Sequence, residues 1–421
     1  LQIKYAVVIA VVLVIGIAIG YTLPALGPKP TTTVVTTMYT TATALAPMLT
    51  TVTQPMTLPT TVVTTMYTTA TALAPMLTTV TQPMTLPTTV VTTVVTSWPR
   101  IVVDALGREV EFDKPPVRVV SAIPSITEHL FTLGLGDRVV GVDKYSNWPP
   151  EVLELVEQGK IVVVGGPWTL DVEKIASLKP DLVLMCRGVK PQETQFAPKL
   201  EEMSIKTFFL MCDAAKNQYD IYMDIRTLGK VFGVEQRAEV VIESIQQKID
   251  SVTSRLVNVT KKPKVLQLVG PPSWGLWSAG GDTFISWLIT TAGGTNIASQ
   301  YSGWPRLSPE FILSQDPEII IIATMNVDPK SLFEEVSQSF LTNTTAWRSG
   351  RVYVLTAEAD DMISRPGPRI ADALTMISQI IHPEVFGEVQ RGDVVKMSSA
   401  ELWFEAPAPL VKVVDMVVAE V

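Results

Sequence analysis

One unbroken stretch, Glu235–Leu256, sets the architecture open to the globular part of this chain. It reads EQRAEVVIESIQQKIDSVTSRL. Its apolar residues are Ala238, Val241, Ile242, Ile245, Ile249, Val252 and Leu256. Gaps of three and four place them on one face of an α-helix. At 1.5 Å per residue that helix is roughly 33 Å long, the span of a small domain. Neither Pro nor Gly interrupts it, and the basic run Lys261, Lys262, Pro263, Lys264 closes it. Two readings follow from the stretch alone: one more surface helix of a single α/β domain, or a strut joining two α/β lobes.

The flanks decide between them. On the amino side, two alternating runs around Leu106 and Gly107 predict a hairpin. Strands are then expected over residues 117–122, 138–142, 160–164, 181–185 and 207–211, with helices between them. Ser125 with Glu128 three residues on reads as a capping box opening the first helix. On the carboxyl side, strands over 263–269, 319–323 and 351–355 alternate with helices over 283–291, 308–313, 332–341 and 368–381. Such alternation with short connections means parallel sheets covered by helices. The expected fold is therefore α/β, with two Rossmann-like lobes joined by one long helix and a ligand cleft between them. The expected divisions are an amino-terminal lobe at 100–234, the linking helix at 235–257, a carboxyl-terminal lobe at 258–392 and an extension at 393–421.

In such sheets ligands sit beyond the carboxyl ends of the strands. The loops expected there carry Tyr145, Trp148, Trp168 and Arg187 in the first half, and Trp304 and Arg365 in the second. A tryptophan can simply pack under its own loop. This many aromatics at strand ends, with a few polar partners, instead suits a bulky, partly apolar ligand.

Charge and motifs narrow the function class. Asp and Glu number 41 against 33 Lys and Arg, a formal charge of −8. No basic, aromatic-interleaved patch suggests nucleic acid. The two histidines, His129 and His382, match no metal spacing, and no resident metal or cofactor is expected. No G-x-G-x-x-G, Walker or G-x-S-x-G pattern occurs, and no nucleophile and base pair stands out, so an enzyme is not expected. Cys186 and Cys212 each directly follow an apolar strand run in the same lobe. Two states are open to them: a disulfide between parallel neighbours, or two buried thiols.

The amino end is different in kind. Residues 6–20 read AVVIAVVLVIGIAIG after Lys4. The run approaches bilayer length and exceeds a usual signal core, which favours a membrane anchor at 1–29 over a cleaved signal. Residues 30–99 contain no charged side chain and are dominated by Thr. The segment from Thr32 to Thr65 recurs identically from Thr60 to Thr93, a period of 28. Recurrent Pro argues against regular hydrogen bonding. The composition fits a Thr/Pro-rich stalk carrying O-linked glycans. Sequons at Asn258 and Asn343 are open to N-glycosylation.

With these residues in view, the chain resembles the helical-backbone class of solute-binding proteins of ABC importers, the cobalamin, iron-siderophore and haem type. The matching segments are RVVSAIPSITEHLFTLGLGDRVVGVDKYSNWPPEV, LDVEKIASLKPDLVLM, GGDTFISWLITTAGGTNIA, WPRLSPEFILSQDPEIIII and RPGPRIADAL, together spanning residues 118–374. The resemblance implies a monomeric extracellular head that captures a metal chelate, cobalamin or a ferric siderophore, and delivers it to a permease dimer with its ATPase subunits. It places Trp148, Trp168, Trp304 and Arg365 on the family's ligand motifs. Cys186 stands where cobalamin-binding relatives have Trp before Arg-Gly-Gly, here Arg187-Gly188-Val189, so one side of the cleft departs from theirs. It also implies one permease-docking glutamate per lobe, Glu173 and Glu310. A cell-surface structural or adhesion protein reusing the same fold is the alternative, since fold does not dictate function.

Overall fold

The computed structural model describes residues 98–324 and 327–397, with the backbone of Val35–Thr40 and Val63–Thr68. The expected anchor at 6–20 and the rest of the repeat segment lie outside the described residues, as does 398–421. The two described repeat strands pair in parallel with Val35 opposite Val63, so equivalent positions of the repeat face each other. This differs from a segment without regular pairing. The paired VTTMYT stretches contain no Pro and are rich in β-branched residues, which favours extended backbone.

Two five-stranded sheets flank Glu235–Leu256. The first runs Thr207–Leu210, Leu182–Cys186, Val119–Ser121, Val139–Val142, Val162–Val163, all parallel. The second runs Thr295–Asn296, Lys264–Leu268, Ile319–Ala323, Val352–Leu355, Val394–Lys396. Only its last strand is antiparallel, against Val352–Leu355. That strand lies past residue 392, where the lobe was expected to end, and belongs to the lobe's sheet by its hydrogen bonds. The runs LVLMC, IIIIA and VYVL are buried at every position. They lack inside–outside alternation because helices cover both faces of a parallel sheet. Ahead of the first sheet, Arg100–Val103 pairs with Glu109–Phe112 as the hairpin expected around Gly107.

Glu235–Leu256 is one continuous helix. Ala238, Ile242, Ile245, Ile249 and Val252 are buried along one face. Its first half leans on the helix Gln218–Phe232, with Arg226 paired to Glu239 at 2.8 Å. Its second half leans on Ile370–Ile381, with Lys248 paired to Asp372 at 2.7 Å. One rigid element is thereby packed into both lobes.

The helix Pro124–Thr132 begins without the expected capping box. Its N-cap is Ile123, with no side-chain hydrogen bond. Pro124 at the first helical position supplies the start instead. Ser125 and Glu128 are both buried and are released for other contacts.

Candidate ligand-binding cleft

The strand ends of the first sheet are held by buried polar side chains. Asp143, just past Val139–Val142, accepts hydrogen bonds from the Tyr145 amide at 2.8 Å and Ser146 Oγ at 2.5 Å. Ser146 Oγ also bonds Thr127 Oγ1 at 2.7 Å, and Thr127 Oγ1 donates to Ser121 Oγ at 2.8 Å. Burial pushes the Asp143 carboxyl up to about 6. This network fixes the loop that presents Tyr145. Gly165–Gly166 pairs with Thr169–Leu170 as a short hairpin, whose two-residue tip is Pro167 and Trp168. A Cβ on Gly165 would sit 2.3 Å from the Thr169 carbonyl oxygen, so the hairpin needs glycine there. Fully buried Gln192 ties three strand ends together. Its Nε2 donates to the carbonyls of Ala122 and Pro167, at 3.1 and 3.0 Å, and its Oε1 accepts from the Cys186 amide at 2.8 Å.

The opposite wall comes from Ala357–Ser364, the helix that follows Val352–Leu355, and from Trp274 at the end of the turn Pro272–Trp274. Each lobe has one non-glycine residue in the left-handed region two positions beyond a strand: Cys212 (φ 41°) after Leu210 and Ala357 (φ 44°) after Leu355. Such residues cost of order 1–3 kcal/mol and gather at ligand sites.

The lobes meet through an ion cluster at the edge of the cleft. Glu128 receives Arg369 Nε at 2.9 Å and Nη2 at 2.5 Å, and Arg365 Nη1 at 3.2 Å. Arg365 also donates to Asn147 Oδ1 at 2.7 Å and the Tyr145 carbonyl at 3.1 Å, and pairs with Asp361 at 2.5 Å. Asn147 in turn donates to Asp361 at 2.8 Å.

Between the walls lies a cavity of about 560 Å³, within the range for small-molecule sites. Tyr145 and Trp168 line it from the first lobe, and Arg365 and Trp274 from the second, with Ser125, Asp213, Asp360 and Asp361 among the polar groups. Trp168 and Trp274 are 55% and 56% exposed, unusually open for tryptophan. Three of the residues expected in the site are placed elsewhere. The Trp148 ring lies under the Arg369 guanidinium, 4.8 Å away, packed within the ion cluster. Arg187 donates to the Ala105 carbonyl at 3.1 Å. Trp304 stands exposed beside the bridge between Trp277 and Arg306.

Cys186 and Cys212 are free, buried thiols that adjoin, rather than a disulfide. Cys186 pairs across the ladder with Leu210, so Cys212 lies two residues further along, in a 3-10 turn out of register. Burial pushes both thiols up. Glu173 and Glu310 are exposed in the first turns of Val172–Ser177 and Pro309–Gln315. Sequence reasoning missed Trp274, Gln192 and the Asp360–Asp361 pair as parts of the site. Trp274 had a signal, being an aromatic in the Gly- and Pro-rich loop after a predicted strand. Gln192 had none.

The sequence profile of the periplasmic binding proteins matches residues 119–359, more than half of the chain. This chain belongs to the periplasmic binding protein family. It is a binding component of a transport system, not an enzyme. Family membership gives an extracellular or periplasmic head that works with an ABC permease and its ATPase. Among its relatives, the cobalamin-binding protein of Halobacterium salinarum (strain ATCC 29341 / DSM 671 / R1) is 27% identical over 68% of this chain and 75% of its own. The vitamin B12-binding protein of Photorhabdus laumondii is 30% identical over 63% of this chain and 87% of its own. The crystal structure of a periplasmic heme binding protein from Pseudomonas aeruginosa superposes with a TM-score of 0.59 at 26% identity, covering 68% of this chain and 99% of that one.

Proposed function

We propose that the head captures a bulky metal chelate, cobalamin first and a haem or ferric siderophore second, and hands it to an ABC permease. The observation that carries this reading is the aromatic pair Trp168 and Trp274, one from each lobe, both open to a single cavity of about 560 Å³. Flat or corrin-like ligands offer faces for two such rings. Relatives that bind cobalamin and heme by name support the class of ligand. Tyr145, Trp168 and Arg365 form the ligand site with Trp274, while Trp148, Arg187 and Trp304 act around it. Binding is non-covalent, and the continuous linking helix keeps domain motion small.

In this reading, residues 1–29 anchor the chain and 30–99 hold the head away from the membrane. The head itself divides into lobes at 100–234 and 258–397, joined at 235–257 and followed by the extension 398–421. Asn258 and Asn343, both exposed, carry N-glycans where the host makes them, which intact mass before and after glycosidase tests. The ligand itself is tested by intrinsic fluorescence titration of the purified protein with cyanocobalamin, haem and ferric siderophores. Saturable quenching at micromolar concentration by one of them is expected. No response to any of the three overturns the reading.

A further inference from the structure

The helical stretch after Gly188 has a proline in its interior. Residues 190–202 read KPQETQFAPKLEE. In an α-helix the Pro198 ring would clash with the carbonyl of Thr194, four residues back, and Pro198 has no amide to offer it. The chain takes one wider turn instead, Gln192–Phe196, closed by the Ala197 amide on the Gln192 carbonyl, five residues back. Such π turns recur at functional sites. Gln192 opens this one, and its side chain is buried behind the cavity wall without lining the cavity.

Its hydrogen bonds reach three segments that serve the wall. Nε2 donates to the Ala122 carbonyl at 3.1 Å, just ahead of the lining residues Ile123, Pro124 and Ser125. Nε2 also donates to the Pro167 carbonyl at 3.0 Å, in the peptide unit that leads into Trp168. Oε1 accepts from the Cys186 amide at 2.8 Å, and Cys186 Sγ in turn accepts from the amide of Asp213, another lining residue, at 3.4 Å. Two carbonyls need a donor and one amide needs an acceptor, so a primary amide in one orientation serves all three.

The contact to Pro167 bears on the ligand site directly. Among the described residues, the Trp168 side chain has no hydrogen-bond or ring partner. Its direction is therefore set by the backbone. The stem of its hairpin is fixed, since the Lys144 amide donates to the Gly165 carbonyl at 2.8 Å and the Asp171 amide to the Val164 carbonyl at 2.9 Å. At the tip the Pro167 ring fixes φ, which leaves ψ open to helical or extended values. Turning ψ swings the Pro167 carbonyl and Trp168 together, so holding that carbonyl holds Trp168.

We propose that Gln192 is a positioning residue of the cleft: from behind the wall it fixes ψ of Pro167, and thereby the pose in which Trp168 meets a ligand. Its effect on affinity rests on the chelate reading above; its hold on Trp168 does not. Gln192→Glu keeps the shape and the acceptor for the Cys186 amide, but an ionised carboxylate offers the two carbonyls no donor. Gln192→Met fills the space and offers neither donor nor acceptor.

Fluorine NMR of the protein labelled with fluorotryptophan reads the pose without a ligand. The chain has nine tryptophans, and the line lost in Trp168→Phe or in Trp274→Phe assigns each of those two. Gln192→Glu and Gln192→Met should each move or split the Trp168 line and leave the Trp274 line in place, with thermal unfolding confirming that the variants fold. An unchanged Trp168 line in a folded variant overturns the proposal, as does an equal disturbance of Trp274, the mark of general loosening. Failure of both variants to fold also overturns it, since Gln192 would then serve folding alone. Affinity is read by calorimetry with cyanocobalamin, haem and a ferric hydroxamate. For a chelate that binds, Gln192→Glu should weaken binding about tenfold in the wild-type and Trp274→Ala backgrounds, but by less than about twofold in Trp168→Ala, because residues acting through one contact are not additive. An equal loss in all three backgrounds overturns the positioning role. Binding of none of the three chelates by wild type overturns the chelate reading, and the fluorine spectra still decide whether Gln192 holds Trp168.

Discussion

Glu128 and Arg369 sit 241 residues apart and close on each other through two hydrogen bonds, 2.9 and 2.5 Å, between the first lobe and the second. Both are almost fully buried. A bidentate carboxylate–guanidinium pair of this kind holds orientation as well as energy. Arg365 adds a second cation to the same carboxylate, and the Trp148 ring covers the Arg369 guanidinium. Removing one partner of a buried pair costs on the order of 3–5 kcal/mol where a charge is left alone, and the low end applies here because Arg365 still meets Glu128. Arg369→Ala should therefore lower unfolding stability by about that much in urea titrations. The double change Glu128→Gln with Arg369→Met should recover part of the loss, because no buried charge is left alone. A single change within about 0.5 kcal/mol of wild type, the range of ordinary surface substitutions, would show that the pair holds nothing.

The cavity separates the tryptophans into two classes. Trp168 and Trp274 line it, whereas Trp148 is packed against Arg369 and Trp304 lies outside the lining. Trp168→Ala and Trp274→Ala should each weaken chelate binding by tenfold or more, a modest share of what a large aromatic contact contributes. Trp304→Ala should change it less than threefold. Equal effects at all three positions in calorimetric titrations would show that the ligand reaches further across the rim than the cavity does.

Much of this arrangement was legible in the chain, for physical reasons that also explain what was not. The linking helix announced itself because a 3.6-residue repeat of aliphatic side chains has one structural solution. The sheets did so because LVLMC and IIIIA can only be buried on both faces. Tyr145 and Trp168 line the cavity from loops at strand ends, as the rule for such sheets leads one to expect, whereas Arg365 reaches it from the C-cap of Ala357–Ser364, a helix where a loop was expected. Glu128 misled: a glutamate three residues after a serine at a helix start has the pattern of a cap, and only the folded chain brings Arg369 across to claim it. Trp148 and Arg187 have the side chains a ligand needs, but their partners, Arg369 and the Ala105 carbonyl, come from distant sequence. That Cys212 lies two residues beyond the ladder partner of Cys186, leaving two adjoining thiols, depends on strand register, which two apolar runs cannot specify.

The cysteines give a chemical check on that register. Both are buried, and burial raises both thiols. Thiols in that state react slowly, since the thiolate is the nucleophile. Titration with a thiol reagent under non-reducing conditions should find almost none in the folded protein and two after denaturation. Two unreactive positions after denaturation would mean a disulfide, and with it a shift of Cys212 into register with Cys186.

Asp224 makes the stability of the head depend on pH. It accepts from the Met211 and Cys212 amides at 2.8 and 3.0 Å, and burial pushes its carboxyl up to about 7. The unfolded chain releases that proton near 3.8. Between those values the folded state holds more protons than the unfolded one, so this group's contribution to stability falls as pH rises from about 4 to 7 and is flat above. His129, buried and lowered to about 3, works in the opposite direction, but it is common to wild type and an Asp224→Asn variant. The difference in unfolding free energy between the two should therefore shift in favour of wild type as pH is lowered from 8 to 5. The steepest slope is at most about 1.4 kcal/mol per pH unit. A difference that stays constant over that range would mean that Asp224 is ionised in the fold.

The two glutamates proposed to meet the permease differ from every carboxylate in the cleft. Glu173 is in the first turn of Val172–Ser177 in one lobe, and Glu310 in the first turn of Pro309–Gln315 in the other. Both are exposed, and neither has an ion-pair partner among the described residues. Helix starts favour negative charge by about 0.3–1 kcal/mol, so local stability alone accounts for a glutamate at either place. It does not account for one in each lobe of a head whose lobes are fixed to each other by the linking helix and the Glu128–Arg369 pair. A permease dimer presents two equivalent surfaces, and a single rigid head meets both only by offering one contact from each lobe. Exposed charges of this kind govern orientation and encounter rate more than final affinity. Ligand affinity of Glu173→Ala and Glu310→Ala should match wild type within about twofold, since neither side chain lines the cavity. Ligand-stimulated ATP hydrolysis by the transporter reconstituted in vesicles should fall in each, and the double change to Arg should nearly abolish it. The loss should also grow less distinct at high ionic strength, where wild-type docking is itself screened. If the double Arg variant supports full ATP hydrolysis and uptake at low salt, the two residues are helix-start glutamates only, and the permease docks elsewhere on the head.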